Sequence, residues 1–257
     1  MGIYVITGGT TGIGAEVCRL LLGEGHEVFN IDYKGGDFEA DLSTDEGVNA
    51  AIQAVAEKYP EGIDGLISNA GVGPSAPAEK IFALNFYAGT YIAEGLRPLL
   101  AKKKGCCVMT CSNTITNSIV RMDWVELLTN LRNRERGMDL ARMIPREKGP
   151  AAYSSSKCAL ARWIRRVSPN WAVDGLRING VAPGNTTTPM TKGMTEQQRN
   201  AALLIPIPTR YGTREFLDAV EIANSIVFLA SRKASGINGE ILFVDGGIDA
   251  LMHSERF

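Results

Sequence analysis

Histidine is almost missing from this 257-residue chain: there are two, His26 and His253. A Ser–His or Cys–His relay has little to draw on, since His26 opens a strand candidate and His253 lies in the tail. The five cysteines (Cys18, Cys106, Cys107, Cys111, Cys158) are odd in number and show no CxxC spacing. That pattern argues against a structural metal site and a disulfide framework, so no metal is expected. Neither sign of charge prevails: 27 Lys and Arg face 28 Asp and Glu, for a formal net charge of −1. Such a balance gives no reason to expect nucleic acid or an anionic membrane as partner. No apolar run approaches bilayer-spanning length. The opening MGIYVITGG lacks the basic region and cleavage site of a signal peptide, and Ile6 stands where myristoylation needs Ser or Thr. The expectation is a cytoplasmic protein with reduced thiols.

Repeats, low-complexity tracts and linkers are missing too, so residues 1–257 read as one domain, long enough to bury a sizeable core. What is present is an alternation of short β-rich runs with longer helical patterns. IYVIT, HEVFNID, DFEADL, DGLISNAG, GCCVMTCS, GLRINGVAPG and GEILFVDGG read as strands. Between them lie helical segments, such as residues 44–59, where Val48, Ala51, Ile52, Val55 and Ala56 follow one helix face. Residues 79–104 read as one helix. This order predicts an α/β fold: a Rossmann-type doubly wound parallel sheet with helices on both faces.

One stretch breaks the rhythm. About 113–150 form an inserted segment well above ordinary connection length. It carries Trp124, Leu127, Leu128 and Leu131 at helical spacing, then a charge-rich portion in which acids interleave bases. The charged portion reads as a solvated helix face. The insertion either walls a pocket, mediates a dimer, or does both. A second mobile segment, a substrate loop at about 185–210, offers Met190, Met194, Leu203, Leu204 and Ile205. These either form an apolar lid or sit as core beneath a loop.

VITGGTTGIGAE places Gly8, Gly12 and Gly14 between the first strand and the first helix. Gly8 permits the tight turn, Gly12 lets the backbone approach a pyrophosphate, and Gly14 lets helix and strand pack closely. The phosphates would sit at the helix N-terminus, where free N–H groups and the dipole favour anions. Asp32 follows about 20 residues later, where an acid holds the adenosine ribose hydroxyls and repels a 2′-phosphate. NAD is thus favoured over NADP, with Lys34 nearby as the one feature that could admit the latter.

Tyr153 and Lys157, in AAYSSSKCAL, lie one helical turn apart. A cation at ~5 Å in an effective dielectric of ~20 contributes ~3 kcal/mol, or ~2 pKa units. This predicts a phenol moved toward neutrality, into the range of a general acid/base. Arg162, Arg165 and Arg166 share the helix, so a neighbouring charge alone does not make Tyr153 catalytic.

With the glycine loop, NAG at 69–71, YSSSK at 153–157 and PG at 183–184 in order, the chain resembles the short-chain dehydrogenase/reductase family along its whole length. The resemblance implies an NAD(P)-dependent oxidoreductase with a tetrad of Asn85, Ser112, Tyr153 and Lys157. It places cofactor contacts at Gly8, Thr11, Gly12, Ile13 and Gly14, at Asp32, Asp41 and Leu42, and at Asn69, Ala70 and Gly71. It adds Pro183, Gly184, Thr186 and Thr188, with Thr186 standing where Val or Ile is usual. Substrate contacts would come from Ser112, Asn113, Tyr153, Met190 and Met194. Asn85 would position a water that relays protons, and Cys111 would be packing. A narrower likeness, in NIDYKGGDFEADLSTDEG, the insertion and the tail, is to bacterial hydroxysteroid dehydrogenases of the 3α/carbonyl reductase or bile-acid 12α type; SNTI, RMD, ALARW and APGN lean to the latter. It implies a steroid or bile-acid alcohol as substrate and a homo-oligomer, dimer or tetramer, whose packing the insertion alters. Two rivals stand beside this. One is a family enzyme acting on a non-steroid alcohol or ketone, which a substrate panel separates. The other is a non-catalytic NAD-binding relative, which would bind NADH and turn over nothing.

Overall fold

A computed structural model describes residues 1–131, 134–213 and 215–255. Seven parallel strands form its sheet in the order β3-β2-β1-β4-β5-β6-β9. They are β1 (Ile3–Thr7), β2 (Glu27–Asp32), β3 (Phe38–Glu39), β4 (Gly65–Ser68), β5 (Cys106–Thr110), β6 (Arg177–Pro183) and β9 (Ile241–Val244). The order reverses direction between β1 and β4, and that is where a doubly wound sheet opens a crevice at its carboxyl edge. A separate pair, β7 (Thr186–Thr187) and β8 (Leu217–Asp218), also runs parallel.

Successive side chains of a strand point to opposite faces, and here each face meets its own core. Val5, Leu66, Cys107 and Met109 join the larger cluster; Tyr4, Ile6, Ile67, Cys106 and Val108 join the second. The larger core is roofed by α2 (Asp45–Lys58), α4 (Gly89–Lys103) and α7 (Gly149–Val173), the second by α1 (Gly12–Gly23) and α10 (Ala219–Ala230). Burial on both faces explains why the strands read as continuous apolar runs rather than alternating ones. Each fully buried Leu or Ile side chain contributes about 1.5–3 kcal/mol.

The segment expected as one helix over 79–104 is instead three pieces: α3 (Ala78–Phe82), a π-helical turn at Ala83–Ala88, and α4. The wide turn contains Asn85, and π-turns inside helices gather at functional positions. Hydrophobic spacing is nearly the same for π and α turns over so short a run, so the pattern could not announce it.

The insertion folds as α5 (Met122–Leu131) and α6 (Arg134–Met143) on the outside of the α3–α4–α7 layer. Trp124 and Leu128 are buried, Leu127 is half-buried, and the side chain of Leu131 lies outside the described set. Trp124 meets Phe82 edge-on, with ring centroids 6.4 Å apart. Among the described residues no helix is long and apolar enough to cross a membrane.

Candidate functional site

The crevice at the carboxyl edge is a cleft of about 540 Å³. One end belongs to the glycine loop. Gly8 and Gly12 adopt φ of 72° and 58°, which favour glycine. A Cβ on Gly14 would stand 2.0 Å from the Gly8 carbonyl oxygen, so this glycine holds α1 against β1 and does not itself line the cleft. Thr11, the N-cap of α1, makes no side-chain cap, which leaves the helix mouth open for an anion. Gly8, Thr11, Gly12 and Ile13 all line the cleft. The residues therefore fit a dinucleotide diphosphate.

Next along the wall come Asp32, Asp41 and Leu42. Asp32 accepts from the N–H groups of Thr10 (3.0 Å) and Tyr33 (2.7 Å), fixing its carboxylate at the cleft edge. Lys34 instead rests with its Nζ 5.8 Å from the Tyr33 ring centroid and is not a lining residue. Asp41 accepts from the Ser43 hydroxyl (2.6 Å) and N–H (2.9 Å), and these bonds hold its carboxyl below the usual carboxylate range. Asn69, Ala70 and Gly71 follow at the end of β4, with the Asn69 amide nitrogen donating to the Gly8 carbonyl at 2.9 Å.

At the other end Ser112, Tyr153 and Lys157 line one wall. Ser112 leaves β5 and caps a short 3₁₀ turn, Asn113–Thr116; its hydroxyl accepts from the Thr114 N–H and hydroxyl at 3.3 and 3.1 Å. Tyr153 is half-buried, yet its phenol is enclosed by protein. Burial pushes its pKa above the ordinary tyrosine value, the facing Ser112 hydroxyl pulls it down, and Cys111 adds to the rise. This corrects the expectation of a phenol drawn toward neutrality by Lys157. The Lys157 ammonium donates to the Thr110 carbonyl at 2.7 Å, and burial lowers its own pKa to about 8. Desolvation, which a spacing argument in uniform dielectric omits, is the largest cause of both shifts.

Asn85 is buried in the π-turn, behind the residues that line the cleft. Its carboxamide clips the backbone of Val72, accepting from the N–H at 2.8 Å and donating to the carbonyl at 3.0 Å. That clip shapes the loop after β4 that carries Gly71. The three serines after Tyr153 divide the work. Ser154 lines the cleft, Ser155 accepts from the Arg121 N–H at 2.9 Å, and Ser156 donates to the Tyr153 carbonyl at 2.7 Å.

Pro183, Gly184, Thr186 and Thr188 line the roof, and Thr188 packs against Gly12, at 3.3 Å from where a Cβ would sit. Met190 and Met194 also line the cleft; Leu203 and Ile205 pack on the second core, and Leu204 is exposed. The loop thus divides between lid and core. Of the insertion's described residues, Asn113, Thr114, Ile119 and, at its far end, Pro150 reach the cleft, so helices α5 and α6 are not its wall. Val72, Leu84 and Pro150 complete an apolar side that sequence reasoning did not single out, since isolated apolar residues carry no motif. Also unforeseen is buried Asp245 after β9. It accepts from the N–H groups of Gly247 (2.9 Å) and Asp249 (2.7 Å) and from Asn113 Nδ2 (3.4 Å), and Asp249 in turn accepts from Thr116 Oγ1 (2.7 Å). These bonds anchor the turn that follows Ser112. Cys111 is buried with its thiol pushed up to about 12, as packing would have it.

The chain is similar to known proteins along its whole length. A family model described as short chain dehydrogenase matches residues 3–122, and one described as enoyl-(acyl carrier protein) reductase matches 139–249. The chain is 32% identical over 260 residues to the 3-alpha-hydroxysteroid dehydrogenase/carbonyl reductase of Comamonas testosteroni, covering 100% of both chains. It is 26% identical over 263 residues to a 3-oxoacyl-[acyl-carrier-protein] reductase of Vibrio cholerae, covering 96% of each. The crystal structure of the 3-alpha-hydroxysteroid dehydrogenase from Pseudomonas sp. B-0831 complexed with NADH superposes with a TM-score of 0.91 at 32% identity, covering 99% of this chain and 100% of that one.

Proposed function

Since the chain belongs to the short-chain dehydrogenase/reductase family, we propose that this oxidoreductase interconverts a secondary alcohol and a ketone on a steroid or bile acid, with NAD as cofactor and Tyr153 as general acid/base. The observation that carries the reading is one continuous cleft. It joins a diphosphate-fitting glycine loop and Asp32 at one end to Ser112, Tyr153 and Lys157 at the other. Bound nicotinamide supplies the hydride chemistry.

The protein's part is proton transfer and orientation. In reduction Tyr153 donates its phenolic proton to the carbonyl oxygen, and Ser112 hydrogen-bonds the same oxygen as charge develops on it. In oxidation the phenolate takes the hydroxyl proton. Lys157 would hold the ribose hydroxyls beside the reacting carbon, and the loop clipped by Asn85 would keep Gly71 against them. NAD is favoured over NADP because the Asp32 carboxylate stands at the cleft edge and Lys34 does not reach it.

The substrate side supports a bulky apolar alcohol. Val72, Leu84, Ile119, Pro150, Met190 and Met194 offer apolar surface, and Lys80 and Lys157 are the cations on the described wall. Both hydroxysteroid relatives are named for 3α activity, which makes position 3 the first to try. The test is NAD reduction by a panel of 3-, 7- and 12-hydroxy bile acids and simple steroids. Turnover confined to small sugars or acyl thioesters would refute the substrate, and NADH binding with no turnover on any alcohol or ketone would refute the enzyme.

A further inference from the structure

The helices of the insertion do not touch the cleft, yet one of their residues grips a loop that does. Arg134, the first residue of α6, donates from Nη2 to the Ser43 carbonyl and pairs through Nη1 with Asp45 Oδ1, each at 2.5 Å. Its guanidinium carbon lies 5.8 Å from the Tyr87 ring centroid, and its side chain is only 15% exposed. Ser43 is the residue whose hydroxyl and N–H orient the Asp41 carboxylate. Asp41 and Leu42 line the cleft between Asp32 and the end of β4. Tyr87 belongs to the π-turn that holds Asn85. One guanidinium therefore joins the insertion, the Asp41–Asp45 turn and the π-turn.

A turn on the rim of a sheet is otherwise free to sample several conformations, and a ligand that needs one of them loses affinity in proportion. Fixing it beforehand removes that loss. We propose that Arg134 is a positioning residue for the adenosine end of the cofactor, acting through Ser43 and Asp45 on the Asp41–Leu42 wall. The proposal rests on the reading that a dinucleotide lies along this cleft. The insertion is then a brace for cofactor binding, reaching the site from behind.

The experiment measures binding of NADH, AMP and nicotinamide mononucleotide to the full-length protein by titration calorimetry. Arg134→Ala is expected to weaken AMP and NADH by roughly five- to tenfold, the scale of one lost hydrogen bond, and to leave nicotinamide mononucleotide within twofold. Arg134→Lys should recover part of the AMP affinity, and Asp45→Asn should reproduce a smaller version of the loss should Arg134→Ala fold poorly. A general loosening of the fold would weaken both fragments alike, which would overturn the proposal. So would AMP binding at wild-type strength in Arg134→Ala while Asp32→Ala loses it; that pattern leaves the cofactor reading standing. Wild-type protein that binds neither NADH nor AMP would sink the cofactor reading itself.

Discussion

The two ends of the cleft are built from different material. The glycine end is made by backbone: two left-handed glycines, an uncapped helix mouth, and a Gly14–Gly8 approach too close for any Cβ. The tyrosine end is made by side chains held in a buried place, where a phenol and an ammonium are both stripped of water. The first costs the fold little beyond glycine's entropy. The second opposes stability, because a cation kept without its hydration shell is expensive. Ionisable groups with shifted pKa values gathered in one cleft make the tyrosine end the candidate for chemistry.

Substitutions can sharpen or break this contrast. The largest effect is expected for Tyr153→Phe, which should lower kcat by ~10³-fold while NADH affinity stays within twofold, since general acid–base catalysis supplies 10²–10⁴-fold. Near-normal rates in a coupled NADH assay would erase the distinction between a binding end and a reacting end. Lys157→Met should abolish turnover yet stabilise the protein by up to ~3 kcal/mol at pH 7, judged from a pKa held near 8 instead of 10.5. The unfolded chain keeps that proton up to about pH 10.5, whereas the folded one releases it near pH 8. The penalty is therefore full below pH 8 and fades as pH rises to 10.5, so the two urea midpoints should converge over that window.

At the backbone end, Gly14→Ala should cost about 1–3 kcal/mol of stability, because α1 must back away from the Gly8 carbonyl, and it should weaken NADH with no separate effect on proton transfer. Equilibrium unfolding with parallel NADH titration checks both parts. The smallest step is in pH. With the phenol protonated at neutrality, alcohol oxidation should rise up to about tenfold per pH unit as base forms, while ketone reduction should not. Parallel profiles of kcat/KM in the two directions decide this, and a flat oxidation profile would contradict a tyrosine base.

Much of this was legible beforehand because it is local. Apolar runs bounded by glycine named the strands, the glycine spacing named a phosphate loop, and Asp32 fell at the end of β2. The cleft then gathered residues as distant as Thr11, Asp41, Ser112 and Thr186. Asn85 could be located, but its clip to the Val72 backbone could not, because those hydrogen bonds depend on a π-turn that hydrophobic period does not encode. Asp245 and Arg134 were silent: an acid after a strand and an arginine in a charged helix look like solvated surface until another element covers them.

By itself, then, the sequence determined the order of strands and helices, the backbone freedom of the glycine loop, and the pairing of Tyr153 with Lys157 on one helix face. These follow from periods of two and 3.6 residues and from which residue types tolerate positive φ. Tertiary structure alone decided the burial that shifts the pKa values of that pair and the reach of Arg134 from the insertion to Ser43 and Asp45. Both depend on which other chain segments exclude water from a side chain, and burial of that kind is a property of the whole packed molecule.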